Sequence, residues 1–178
     1  ITSNNTIYGT RFAVAPDVGG LPLVSDMSSC ILSEVFDVRD YALIYAGAQK
    51  NIGPAGLTIV VIREDLIGHE MEFTPTMLKY SIHAKEGSLY NTPPTYAIYI
   101  AGLVFDWLLK NGGVPAMEAR NREKAAMLYD FLDNSSLFRP TVQGKDRSLM
   151  NIPFVTGNAE LDKKFLSEAE KNGFVGLK

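Results

Sequence analysis

The chain has 178 residues, 46% hydrophobic and 21% charged, with a formal net charge of −3, so it has apolar material for at least one sizeable core. That charge balance lacks the basic footprint of a nucleic-acid-binding domain, and the lysines and arginines never gather into a membrane-binding run. The single cysteine, Cys30, forms no intrachain disulfide. With no leader-type segment in view, a cytoplasmic location is the simplest expectation.

In chain order, Asn4-Asn5-Thr6 is a glycosylation-type triplet, taken as a chance match, as is Asn134-Ser135-Ser136. Three apolar runs, residues 21–26, 42–46 and 57–62, predict short strands. They lack alternation, as strands do in a sheet covered on both faces by helices. A turn at residues 37–40 precedes the second strand, and a Gly/Pro loop at residues 51–56 precedes the third. Residues 94–110 carry apolar positions at helical spacing and stop at Asn111-Gly112-Gly113. Their most apolar stretch, residues 96–109, contains Asp106 and is too short to span a bilayer. A second helix is predicted over residues 115–134, with Pro115 as a first-turn proline. Residues 150–155 form a further candidate strand, and residues 158–172 an amphipathic helix closed by Gly173. A domain boundary is expected within the second helix, dividing the chain into 1–115 and 116–178. Both ends read as though cut from something longer.

Three places can carry chemistry. Lys50 follows the second strand among Ala46, Gly47, Ala48 and Gly53, small residues that let a planar ligand approach the backbone. A partly desolvated amine there would be a usable nucleophile and Schiff-base former; the plain alternative is a surface loop lysine. Asp26 closes the first strand, and ligands of open α/β sheets sit beyond the carboxyl ends of the strands. A carboxylate and an amine facing one crevice is the arrangement pyridoxal phosphate needs, whereas a carboxylate that merely caps Met27-Ser28-Ser29 is equally compatible with the sequence. At Asn91-Thr92-Pro93-Pro94-Thr95, Thr92 is expected as the N-cap and Pro93 as the first helical residue, giving a helix start able to hold an anion, although most helix starts bind nothing. His69 and His83 stand apart, no Cys/His cluster suggests zinc, and no phosphate-loop or nucleophile-elbow motif occurs.

The run Tyr45-Ala46-Gly47-Ala48-Gln49-Lys50-Asn51-Ile52-Gly53-Pro54-Ala55-Gly56-Leu57-Thr58, continuing through Val61-Ile62-Arg63-Glu64-Asp65-Leu66, resembles the cofactor-lysine segment of phosphoserine aminotransferases. Asp26-Met27-Ser28-Ser29 upstream and Gly87-Ser88-Leu89-Tyr90-Asn91-Thr92-Pro93-Pro94-Thr95 downstream resemble two more of that family's signature stretches, in order. The resemblance implies a three-layer α/β/α aminotransferase large domain, partial and with a mainly parallel sheet, followed by part of a small C-terminal α+β domain. It implies pyridoxal phosphate bound to Lys50 as a Schiff base, Asp26 against the ring nitrogen, Thr6 near the ring oxygen, Gln49 and more weakly Ser28 in the cofactor shell. Asn91 and Thr92 would reach the cofactor phosphate of a second subunit, which requires a homodimer with a shared site. The implied reaction moves an amino group between glutamate and 3-phosphohydroxypyruvate, giving 2-oxoglutarate and phosphoserine, a step of serine biosynthesis with an analogue in pyridoxine biosynthesis. The family's phosphate-cradling loop, stacking aromatic and substrate-binding Arg and His residues have no counterpart here; Arg63, Arg120 and Arg122 lack their motif context. A non-catalytic piece of such an enzyme, or another aminotransferase of the same fold, are the alternatives.

Overall fold

A computed structural model describes residues 1–142 and 144–177. The three predicted strands form one sheet: β1 (Val24–Asp26), β2 (Leu43–Gly47) and β3 (Thr58–Ile62), in the order β1-β2-β3. β1 and β2 run parallel, with Val24 opposite Leu43 and Asp26 opposite Tyr45, which fits the predicted parallel sheet. β2 and β3 depart from it by pairing antiparallel, Leu43 with Ile62 and Gly47 with Thr58. The connection over residues 48–57 is too short for the crossover that a parallel partner needs. Asp37 forms the predicted turn into β2, its carboxylate accepting from the Arg39 N–H at 2.9 Å. The two-faced burial expected of the strands stops at β3, where Val60 and Val61 are exposed.

Beneath the sheet lies a cluster of Leu23, Met27, Ile31, Tyr41, Ile44, Ala46, Ala48 and Ile52, closed by Ala101. Ala101 belongs to α1 (Thr95–Lys110), whose backbone the loop after Lys50 touches at Gly53, where a Cβ would sit 3.6 Å from the Ala101 nitrogen. α2 (Gly113–Asp133) starts two residues earlier than predicted, so Pro115 occupies its third position; Gly112 precedes it at φ +92°, a conformation open chiefly to glycine. α2 continues unbroken through the predicted boundary and ends in a second cluster of Ala125, Tyr129 and Leu132 packed with Phe138, Leu149, Ile152 and Phe154. The rings of Phe138 and Phe154 meet edge-on at 5.4 Å, and Phe165 of α3 (Ala159–Lys171) lies 5.0 Å from Phe138. Asn158 caps α3, its side chain accepting from the Glu160 and Leu161 N–H groups. Of the strand predicted at residues 150–155, only Phe154–Val155 pairs, with Arg139–Pro140.

A hairpin absent from the sequence reading completes the fold. Asn4–Asn5 and Thr10–Arg11 pair antiparallel, with Asn5 opposite Thr10. The Asn5 side chain accepts from the N–H groups of Ile7 and Tyr8 at 3.1 and 3.0 Å, an Asx turn that fixes the loop bearing Thr6.

Candidate active site

Lys50 rides on a turn pinned from both sides. The Ala48 N–H donates to the Leu57 carbonyl at 2.9 Å, and the N–H groups of Ile52 and Gly53 both donate to the Ala48 carbonyl. Ile52 is buried as a plug beneath the turn, and the Asn51 carboxamide donates to the Ile31 carbonyl at 2.9 Å. Ala46 and Ala48 are fully buried under this turn while Lys50 lies on its outer side, exposed, so the desolvation expected for its amine is not seen. Its Nζ donates instead to Thr6 Oγ1 at 3.0 Å. The Gln49 carboxamide folds back over Gly47, where a Cβ would fall 2.5 Å from Gln49 Oε1, so glycine is what permits that placement.

Asp26 ends the neighbouring parallel strand. Its backbone is fixed on the outer side by Ser3 N–H donating to its carbonyl and by its own N–H donating to the Ile1 carbonyl, both at 3.0 Å. Oδ1 accepts from the Ser28 N–H at 2.8 Å, so the capping role is real. Ser28 Oγ in turn accepts from the Gly47 N–H at 3.0 Å, tying this turn to the end of β2. The charge of Asp26, first among several causes, raises the pKa of the exposed Tyr45 hydroxyl opposite it. Thr6, Asp26, Ser28, Gln49 and Lys50 thus gather where β1 and β2 end and the hairpin folds over.

Comparison with known proteins decides the family: the Aminotransferase class-V family matches residues 1–172. The chain belongs to the class-V aminotransferases. The phosphoserine aminotransferase of Listeria innocua is 57% identical over 178 residues, covering 100% of this chain and 48% of that protein. The structure of a phosphoserine aminotransferase from Bacillus circulans subsp. alkalophilus is similar at a TM-score of 0.94 and 47% identity, over 99% of this chain and 49% of that one. A PLP-bound phosphoserine aminotransferase from Trichomonas vaginalis is similar at a TM-score of 0.92 and 37% identity, over 99% and 51% of the two chains. This aminotransferase chain therefore has the aminotransferase α/β fold, and it spans about half the length of the curated relatives it matches.

Asn91 and Thr92 are exposed and are not brought to Lys50 or Asp26 by any hydrogen bond among the described residues. Thr92 does not cap the helix. The first helical residue is Thr95, with Pro94 in the cap position and no side-chain cap bond. Two successive prolines explain the shift: a residue that precedes proline is driven out of the α region, so neither Thr92 nor Pro93 can enter the helix. Arg63 is held by Asp65, and Arg122 by Glu118, so both guanidinium groups are engaged locally.

Two residues of this class-V aminotransferase escaped the sequence reading. Tyr45 was visible only as part of a motif, and its place beside Asp26 follows from strand register. Asn4 was passed over as one residue of a chance triplet, yet it is buried at 3% exposure. Cys30 is a structural thiol. Burial, then the charge of Glu34, pushes it up to about 12. Iodoacetamide at about pH 8 should therefore alkylate Cys30 at least ~10-fold more slowly in the folded chain than in the urea-unfolded chain, read by mass spectrometry. Equal rates would show that the thiol is not held protonated.

Proposed function

We propose that this chain forms the cofactor-lysine half of a phosphoserine:2-oxoglutarate aminotransferase. The observation that carries this reading is the amine of Lys50 and the carboxylate of Asp26 at the ends of two adjacent parallel strands, with the Thr6 hydroxyl already bonded to the amine. That donor set fits pyridoxal phosphate: an amine for its aldehyde and a carboxylate for its ring nitrogen. When bound, the cofactor supplies an electron-accepting ring that makes the substrate α-proton removable.

The chain's own residues do the rest. Lys50 Nζ would hold the cofactor at rest and, once free, would serve as the base that takes the proton from the substrate α-carbon. Asp26 Oδ1 is occupied by the Ser28 N–H, which fixes the carboxyl plane and leaves its negative charge to hold a ring nitrogen in the protonated form. Thr6 orients the amine, and Gln49 and Ser28 line the cofactor. Asn91 and Thr92, exposed and remote from Lys50 in bonding, are assigned to the cofactor phosphate of a second subunit in a homodimer. Substrates are phosphoserine and 2-oxoglutarate, with glutamate and 3-phosphohydroxypyruvate in reverse, in the cytoplasm, serving serine and by analogy pyridoxine biosynthesis. The two core clusters support a division into large-domain residues 1–115 and small-domain residues 116–178. Among the described residues no helix is long and apolar enough to cross a membrane, and no His/Cys/Asp/Glu group is placed to hold a metal.

The test is glutamate formation from phosphoserine and 2-oxoglutarate with pyridoxal phosphate added. Glutamate from phosphoserine, and not from serine or alanine, supports the assignment. Equal turnover of alanine would make it a different aminotransferase. Cofactor capture without glutamate would favour the second reading, a half-length chain that binds without turnover, which the coverage of its relatives motivates.

A further inference from the structure

The hairpin that offers Thr6 to Lys50 is anchored to the sheet through the bonds of Ile1 and Ser3 to Asp26, and also to a distant segment of the chain. Ser148 N–H donates to the Gly9 carbonyl at 2.8 Å, Arg11 Nε donates to the Arg147 carbonyl at 2.9 Å, and Thr141 Oγ1 donates to the Tyr8 carbonyl at 3.1 Å. At the centre stands the buried Asn4 carboxamide. Its Nδ2 donates to Ser29 Oγ and to Asn151 Oδ1, each at 2.8 Å, and its Oδ1 accepts from Ser148 Oγ at 2.5 Å. Ser29 Oγ returns a bond to the Asn4 carbonyl at 2.7 Å. Ser148 is fixed in turn, its carbonyl accepting from the Tyr129 hydroxyl at 3.0 Å and its Oγ accepting from the N–H groups of Met150 and Asn151. One side chain therefore joins three segments: the Thr6 hairpin, the Ser29 turn just beyond Asp26, and the loop at residues 147–151. All its polar atoms are satisfied, which is the condition under which a buried polar node fixes one arrangement rather than several.

We infer that Asn4 is a positioning residue that sets the Thr6–Lys50 contact, registering the loop at residues 147–151 against the amine. The inference rests on the reading of Lys50 as the cofactor lysine, but its test does not need the cofactor. Losing the Asn4 side chain removes its bonds to Ser29, Ser148 and Asn151 while the bonds at Tyr8, Gly9 and Arg11 remain, so the strand shifts locally and Thr6, two residues along the same strand and turn, loses its fixed place over Lys50 Nζ.

The readout is acetylation of Lys50 by acetic anhydride in the folded 178-residue chain, relative to the exposed Lys163 in the same sample, followed by peptide mass spectrometry. Thr6→Val is expected to raise relative labelling of Lys50 about threefold, the effect of one modest hydrogen bond. Asn4→Ala should raise it by the same factor, and the double variant by no more than either alone. Asn4→Asp, which keeps the acceptor for Ser148 but loses both donors, should behave like Asn4→Ala and serves if the alanine variant does not fold. Asn158→Ala, a lost helix cap far from the hairpin, controls for general destabilisation and should leave Lys50 labelling unchanged. Wild-type labelling in the Asn4 variants, or a multiplied effect in the double variant, would overturn the inference. Absence of cofactor capture by the parent chain would overturn the proposed function and leave this labelling result intact.

Discussion

An Asp26→Asn substitution is expected to leave the fold in place and to lower phosphoserine turnover by roughly 10²–10³-fold, the range seen when one preorganised electrostatic partner of the reacting group is lost. The carboxamide keeps an oxygen that accepts from the Ser28 N–H, as Asp26 Oδ1 does at 2.8 Å, so the turn after β1 survives. The strand register with Tyr45 and the backbone bonds to Ile1 and Ser3 involve no side-chain atom of residue 26. What disappears is the negative charge, and with it the bias that keeps a ring nitrogen opposite it protonated. The melting temperature should stay within about 2 °C, since no buried apolar contact changes. A turnover loss below about threefold would remove Asp26 from the ring-nitrogen role and return it to turn capping alone.

Gly9→Ala carries the largest expected cost in stability. Gly9 closes the Thr6 hairpin at φ +70°, a region that costs a residue with a Cβ of order 1–3 kcal/mol. A Cβ at this position would also overlap Pro153 Cδ and lie 2.9 Å from the Asn151 carbonyl oxygen. Neither neighbour yields easily, one being a ring and the other backbone, and overpacking of this kind costs about a further 1–3 kcal/mol. The total, roughly 2–6 kcal/mol, should lower the melting temperature by about 5–20 °C by thermal denaturation. The damage falls on the face where the hairpin meets residues 147–153, so a chain that still folds should also lose the Thr6–Lys50 contact. An unchanged melting temperature would mean that the hairpin does not sit on Pro153.

These two residues also mark what the sequence does and does not disclose. The strands that lead to Asp26 and Lys50 were legible because short apolar runs are local patterns; the second starts and ends within a residue of its predicted span, while the first begins at Val24, three residues later than predicted. The first turn of α1 was misplaced for a local reason that was nonetheless available: Thr92 and Pro93 each precede a proline. The antiparallel turn of β3 was likewise foreseeable from the short loop at residues 48–57. The role of Gly9 and Asn4 was not. Both act across more than 130 residues of chain, Asn4 on Ser148 and Asn151 and Gly9 on Pro153, and nothing near them in sequence marks the partner. The small neighbours of Lys50 left its exposure open in the sequence, between a partly desolvated amine and a surface loop lysine; in the structure Ala46 and Ala48 face inward beneath the turn and Lys50 is exposed.

The central claim is that Lys50, and no other lysine, carries pyridoxal phosphate. Incubating the chain with the cofactor, reducing the Schiff base with borohydride and mapping peptides by mass spectrometry tests it directly. The account predicts a pyridoxyl group confined to the peptide containing Lys50, and its loss in Lys50→Ala with no other lysine taking it up. Pyridoxyl groups spread over the exposed lysines, or unchanged in amount in the Lys50→Ala chain, would contradict it.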